Sequence, residues 1–558
     1  MIPSRAFFII VHPVVQAFLI FREPPDTMKE MRPDAPSSNT RSRSHSGALL
    51  VAVGIFFSRI AGLIRQRIFA HYFGNSDAGY AFYSALKIPN FLQNLFGEGV
   101  LSASFIPVYS GLLGEGKDED AEKVARVVGS LLALITAVLV LGGILATPFL
   151  IDLIAPGFTG DKRELTIRLV QIFFPGTGLL VMSAWCLGIL NSHKKFFLSY
   201  AAPVLWNAAI IAALVIYGKT SVQPELAIKT AWGLVIGSAL QFGVQLPTAS
   251  RFLRRLKFDF SLRMDAVRTV VKNFVPVVIA RGVVQVSAYV DNVLASYLPS
   301  GAVSALAYAQ SLYMLPISLF GMAVSAAELP AMSRATGSEA EISAHLKTRI
   351  DSGLRQISFF IVPSIAGFLA LGDVIVSALY QSGEFSHRNA IYVWIVLAGS
   401  TVGLLATTLG RLYSSAFYAL KDTKTPLYFA AIRVALTISL GYLCGLRLPA
   451  WFGYSADFGT VGLTASAGFS GWIEFLLLRR SLNRRVGKTG VTVPFMLKLW
   501  TAAVVSAIVA LTIKFFAGHW HPILIAVITL GPFGVVYFGL TSALGVQESQ
   551  RFLRRLKR

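Results

Sequence analysis

Two arginines stand where a charge is costly. Arg59, in Phe56-Phe57-Ser58-Arg59-Ile60-Ala61-Gly62, lies about twelve residues into an apolar stretch, and Arg281, in Ile279-Ala280-Arg281-Gly282, lies about thirteen residues into another. A charge inside a membrane helix marks a pathway or a site by default. A guanidinium offers a planar donor fork that stays charged, so arginines gathered in a water-filled cleft suit a phosphate or pyrophosphate above other ligands. Arg65 and Arg67 follow Arg59 on the same stretch toward the far interface, where the competing reading of both is an interfacial anchor. The competing reading is structural, with Arg281 paired to Asp291 or Glu328 and Arg59 to Glu98. Those acids are too few to neutralise every deep cation, which favours the anion site. Lys87 precedes Ile88-Pro89-Asn90, where the proline frees a backbone carbonyl. Asn90 either patches that backbone or faces substrate. Gly62, Pro89, Gly97 and Gly99 are candidate hinges, with close helix packing as the alternative for the glycines. Arg411 and Arg433 are deep cations with no evident task.

Signals for covalent or metal chemistry are weak. There is no Gly-rich phosphate loop and no Asp-rich loop motif, and Cys186 and Cys444 both sit in apolar runs. His71, His193, His345, His387, His519 and His521 are scattered in loops; the last two flank Trp520, an interfacial placement. No metal, cofactor or catalytic residue is expected. A membrane transferase acting on a polyprenyl phosphate would also need arginines, but it would add carboxylates for metal or base work.

The elements that carry these residues follow from composition. Of 558 residues, 54% are hydrophobic and 14% charged, and the mean hydropathy is +0.63. Too little charge is present to shield that much apolar surface from water, which excludes an ordinary soluble enzyme, a secreted domain and a disordered chain. From Gly47 the chain alternates apolar stretches of about 20 to 30 residues with short polar loops, giving about fourteen membrane helices. Backbone amides in lipid must pair internally, so the expected class is an all-α polytopic membrane protein. The net charge of +22 follows from loops rather than nucleic-acid binding: one set of loops carries about 29 Lys and Arg, the alternate set about five. That asymmetry puts both termini in the cytoplasm. Residues 1–46 read as an N-terminal extension outside the fold, either disordered or a mis-assigned start, and 546–558 as a basic amphipathic tail on anionic lipid.

An internal repeat organises the bundle. Tyr72-Phe73-Gly74-Asn75 leads to Leu95-Phe96-Gly97, and Tyr297-Leu298-Pro299-Ser300 leads to Leu319-Phe320-Gly321, an offset of about 224 residues, with Pro89 and Pro316 inside the two copies. Six spans separate them, so the copies share one orientation, a layout seen in transporters. Counted to the following Leu-Phe-Gly, Arg59 is about 36 residues upstream and Arg281 about 38. The two arginines are near-equivalent across the repeat, which would aim both into a cleft between two halves.

These residues resemble a known family. Phe57-Ser58-Arg59-Ile60-Ala61-Gly62-Leu63-Ile64-Arg65, Ala85-Leu86-Lys87-Ile88-Pro89-Asn90-Phe91-Leu92, Phe96-Gly97-Glu98-Gly99 and Ser104-Phe105-Ile106-Pro107 are similar to the MurJ (MviN) lipid II flippases. That family belongs to the multidrug/oligosaccharidyl-lipid/polysaccharide exporter superfamily. The resemblance covers about 47–545. It implies two pseudo-symmetric six-helix lobes, 47–250 and 268–482, joined by a basic linker at 251–267, around a cationic cavity. It further implies a lipid-tail groove from the two last helices (483–545) and alternating access at the cytoplasmic membrane. Arg59 and Arg65 match the family's first-helix arginines, and Lys87, Asn90 and Glu98 match second-helix positions. Three matches fail: the family's acid is Tyr80 here, with Asp77 three residues earlier, and its two further arginines are Gln93 and Ser311. Arg281 is the expected substitute for the arginine missing at Ser311. The resemblance implies lipid II as cargo, membrane lipids and other cell-wall synthesis proteins as partners, and no nucleic acid. A polysaccharide-unit or drug exporter is the alternative within transporters, and a polyprenyl-phosphate transferase the alternative outside them.

Overall fold

In a computed structural model the described residues are 38–253, 257–299, 301–333, 338–420, 422–518 and 520–556. They form helices α1 (Ser38–Phe73), α2 (Asp77–Phe96), α3 (Glu98–Ser104), α4 (Ile106–Gly114), α5 (Asp118–Ile154), α6 (Gly160–Ser192), α7 (Phe196–Ala201), α8 (Pro203–Tyr217), α9 (Gln223–Ser250) and α10 (Asp265–Ser296). These continue as α11 (Ala302–Pro316), a π-helical turn (Ile317–Met322), α12 (Ala323–Ser333), α13 (Glu339–Tyr380), α14 (His387–Thr401), α15 (Leu404–Ala419) and α16 (Lys424–Tyr442). A second π-turn (Leu443–Arg447) leads to α17 (Leu448–Trp451), α18 (Phe458–Val486), α19 (Val493–Ala517), α20 (Pro522–Ala543) and α21 (Gln547–Leu556). Apart from an isolated bridge between Ser382 and Phe385, no strand pairing occurs among the described residues. The all-helical expectation holds.

Among the described residues eleven helices are long and apolar enough to cross a membrane, or twelve with α14 and α15, which bend by 43° across their break, taken as one span. The helices α1 and α10, part of whose side chains lie outside the described set, are not among these eleven. The apolar stretch 77–114 divides at Gly97 and again at Phe105, and the stretch 387–419 between Thr401 and Leu404. The helix α1 begins at Ser38, so the last residues of the extension expected to lie outside the fold are helical; residues 1–37 lie outside the described set.

The chain forms two compact units, one of Ala35–Ser304 with Ser382–Ser386, the other of Ala305–Gln381 with His387–Arg558. The N-terminal unit is organised by α6, which packs on α9, α2 and α5. Buried side chains of α5 and α6 (Val124, Val128, Trp185, Ile189) meet Leu101, Phe105 and Tyr109 in its core. Trp185 closes its own polar end by donating to the Ala125 carbonyl at 3.1 Å, as a buried indole requires. In this unit α10 lies against α2, α3 and α5. The helix α10, at the start of the expected second lobe, thus packs with the helices before it.

In the C-terminal unit α19 and α20 pair and seat Leu499, Ala503, Phe533 and Tyr537 on Phe359 and Val362 of α13. Their opposite faces expose Leu497, Ile508, Phe515, Phe516 and Val535. In water such a surface would drive association; in a bilayer it is the solvated face. The tail α21 is amphipathic, as expected. Phe552 is buried and stacks on Phe538 at 4.9 Å, and Glu548 pairs with Arg355 at 2.8 Å.

Candidate functional site

The candidate cations lie on two helix groups. Arg59 and Arg65 are carried by α1, which packs on α7 and α8. Arg59 is exposed, and among the described residues no carboxylate pairs with it, so the Glu98 clamp that would have made it structural is not formed. Arg65 is partly buried, its guanidinium carbon 4.7 Å from the centre of the Trp206 ring on α8. A cation over an indole face gains about 0.5–2 kcal/mol. The contact restrains the guanidinium without spending an N–H donor on the ring's nitrogen. Trp206 carries no local signal of this role beyond being a tryptophan within an apolar stretch. Gly62, one turn from both arginines, has room for a side chain, its nearest neighbour being Asn207 Oδ1 at 4.0 Å.

Lys87, Asn90 and Glu98 belong to α2 and α3, which pack on α10, the helix that carries Arg281. Lys87 is half-buried and its carbonyl accepts from the Tyr289 hydroxyl of α10 at 2.7 Å. Asn90 is exposed, and Glu98 sits exposed in the first turn of α3 within electrostatic reach of Tyr200. The Arg281 side chain lies outside the described residues, as does that of Asp291. Glu328, the other acid offered as its partner, is 3.8 Å from Arg349 in the C-terminal unit.

The hinge candidates separate clearly. Pro89 is buried inside a continuous α2, whereas Gly97 is the break itself, with the chain turning from α2 to α3. Gly99 lies half-buried within α3.

Where the resemblance led to an acid, Tyr80 is fully buried and its hydroxyl donates to the Ala295 carbonyl, tying α2 to α10. The Lys162 ammonium sits 3.6 Å from the centre of the Tyr80 ring and 2.8 Å from Asp77. The acid three residues upstream is thus engaged by a lysine of α6.

No group of three His, Cys, Asp or Glu suited to a metal occurs among the described residues. What the arrangement offers is two helix surfaces bearing permanent cations and hydrogen-bonding groups, a chemistry of binding an anion rather than converting it.

Residues 69–531 match the family described as "Lipid II flippase MurJ". The chain belongs to the MurJ family. The lipid II flippase MurJ of Burkholderia cenocepacia is 31% identical over 446 residues, 78% of this chain and 84% of that protein. The probable lipid II flippase MurJ of Rhizobium meliloti is 29% identical over 459 residues, 81% of this chain and 83% of that protein. A solved MurJ, described as a lipid II flippase in an inward closed conformation, superposes with a TM-score of 0.72 at 26% identity, covering 91% of this chain and 100% of that one. An inward-facing multidrug resistance MATE transporter of the MOP superfamily superposes at 0.63 with 16% identity, covering 78% of this chain and 98% of that one, which extends the fold and nothing more. MurJ membership makes this a multi-span inner-membrane protein and a transporter rather than an enzyme.

Proposed function

We propose that this chain moves lipid II from the inner to the outer leaflet of the cytoplasmic membrane by alternating access. The match over residues 69–531 to the lipid II flippases carries this reading, and Arg59, exposed and without a carboxylate partner among the described residues, supports it physically. A charge left without a carboxylate in a membrane helix is stable only beside water or an anionic ligand. Arg59, Arg65 and Arg281 hold the pyrophosphate, with Lys87, Asn90 and Glu98 contributing from α2 and α3. Gly62, Pro89, Gly97 and Gly99 serve the movement between states. Residues 47–250 and 268–482 act as the two lobes, with α10 of the second packed in the compact unit of the first, 251–267 as their linker, and 483–545 guides the lipid tail. Both termini lie in the cytoplasm, as the loop charges favour, and other cell-wall synthesis proteins take up the product outside.

Rescue of a bacterium depleted of its own lipid II flippase is the primary test, followed by translocation of lipid II in vesicles holding the purified protein. Rescue and movement of intact substrate are expected. A substrate of altered mass would identify a transferase, and membrane-inserted protein that neither rescues nor translocates would sink the reading. Arg281→Ala should abolish rescue; full rescue by that variant would remove Arg281 from the site.

A further inference from the structure

The C-terminal unit holds a charged cluster that the site above does not use. Arg411 on α15 and Arg433 on α16 flank the 420–423 loop, eight residues before Ala419 and nine after Lys424 respectively. At 1.5 Å rise per residue both lie about 12–14 Å along their helices from that loop, so they are level with one another. Arg433 is half-buried and donates to Glu474 of α18 at 3.1 Å, an acid whose side chain is largely covered. Arg411 is exposed, and among the described residues no carboxylate lies within salt-bridge distance of it. It nevertheless feels Arg433, Glu474 and the Tyr313 hydroxyl of α11 electrostatically. Tyr313 in turn reaches the Thr407 hydroxyl, one turn before Arg411 on α15, at 3.5 Å.

The charges do not balance. Two guanidiniums share one carboxylate, which is already engaged by Arg433, and the remaining positive charge stands within membrane-spanning helices. Lipid tails cannot stabilise it. Tyr313 and Thr407 add hydroxyl donors beside it, so the surroundings supply what an oxyanion needs and lack what a bare cation needs. We infer that Arg411, with Tyr313 and Thr407 beside it and the Arg433–Glu474 pair holding the second guanidinium in reserve, forms a binding site for a lipid-borne phosphate in the C-terminal unit. The phosphate has two sources of like chemistry, the diphosphate of the transported lipid carrier or the phosphodiester of a membrane phospholipid. The first source rests on the flippase reading; the second does not. Glu474 sets the strength of the site by withholding Arg433.

The test uses the full chain in phosphatidylcholine nanodiscs, titrated with farnesyl diphosphate and followed by tryptophan fluorescence. In parallel, native mass spectrometry counts phosphatidylglycerol retained from mixed nanodiscs. Losing a charge-assisted contact, Arg411→Gln should weaken one or both probes about tenfold, and Arg411→Lys should fall between it and wild type. Glu474→Gln should tighten the same probe, because it releases a second guanidinium. A cluster that merely braces helices would make both substitutions harmful, so opposite signs are the signature. A loss confined to farnesyl diphosphate assigns the site to the carrier, and one confined to phosphatidylglycerol assigns it to the leaflet. Unchanged binding of both probes in Arg411→Gln, or weaker binding in Glu474→Gln, overturns the site. If Arg411→Gln fails to fold, the lysine variant and Glu474→Gln decide alone. Wild-type protein that binds but does not rescue a depleted cell would count against the flippase reading and leave the site standing.

Discussion

The two copies of the Phe-Gly repeat carry the same residues and solve different problems with them. In the first, α2 ends at Phe96 and the chain breaks at Gly97; in the second, Phe320-Gly321 runs through a π-helical turn without interruption. A side chain at Gly97 would meet the carbonyl oxygen of Gln93, in the turn just before it, at 2.3 Å. A side chain at Gly321 would meet Thr408 Cγ2 of α15 at the same 2.3 Å. The first glycine therefore answers to its own backbone and the second to a neighbouring helix. Pro316 is the residue before the π-turn, and its missing N–H and ring act on the turn that precedes it. Pro89 lies eight residues before Gly97, so its disturbance is spent inside α2 and does not set the break.

That contrast can be broken experimentally. Gly97→Ala should have the largest effect, because the clash is with backbone and cannot be relieved by a rotamer. We expect loss of folded protein or of transport, read by size-exclusion yield and by rescue. Gly321→Ala should cost about 1–3 kcal/mol, the range for overpacking, and be restored by Thr408→Ser, which deletes the offending methyl. Thermal unfolding of the two single variants and the double variant reads this coupling. Failure of Thr408→Ser to restore Gly321→Ala would mean the glycine serves the π-turn itself. No single side-chain deletion should restore Gly97→Ala.

A smaller effect is expected at Tyr80. Tyr80→Phe keeps the buried ring and the Lys162 contact but loses the bond to the Ala295 carbonyl, at a cost of about 1 kcal/mol. Ala295 also accepts from Leu298, so its oxygen is not orphaned. Restoring an acid with Tyr80→Asp should cost more than the phenylalanine, since it empties a packed site beside Phe158. A Tyr80→Asp variant as stable as wild type would show that the clasp between α2 and α10 carries nothing.

These cases mark how far the sequence could be read. Helical class, the approximate spans and the repeat follow from hydropathy and spacing, because lipid permits little besides helices and a glycine or proline punctuates them locally. The partners did not follow. Arg433 and Glu474 are 41 residues apart, and their meeting depends on how α16 and α18 rotate against each other, which no apolar count encodes. The packing of α10 within the N-terminal unit was equally invisible, since apolar helices carry no label for which neighbours they choose. The deep cations were visible as anomalies, but only geometry separated the paired Arg433 from the unpaired Arg411. Tyr80 stood out as a departure from the family pattern, yet its hydrogen bond across 215 residues had no local trace.

The smallest expected effect lies outside the membrane, in the loop between α15 and α16. Asp422 accepts from the backbone N–H groups of Lys424 and Thr425 at 3.1 and 3.0 Å and from the Thr425 hydroxyl at 2.7 Å, and pairs with Arg485 at 2.8 Å. The Thr425 bonds first, and then Arg485, hold its carboxyl down to about 2, below the usual 3.8. A depressed acid stabilises the folded state only while ionised in it, so the contribution is complete above about pH 4 and lost as pH falls through about 2. Asp422→Asn keeps an acceptor for the two N–H groups but loses the charge and the Arg485 pair, and should therefore cost about 0.2–1 kcal/mol at neutral pH. The gap in melting temperature between wild type and variant should close on acidification over that window. A gap that persists below pH 2 would mean the aspartate acts through shape rather than charge. In that case the start of α16, and with it the level of Arg433, would be set by the loop's backbone alone.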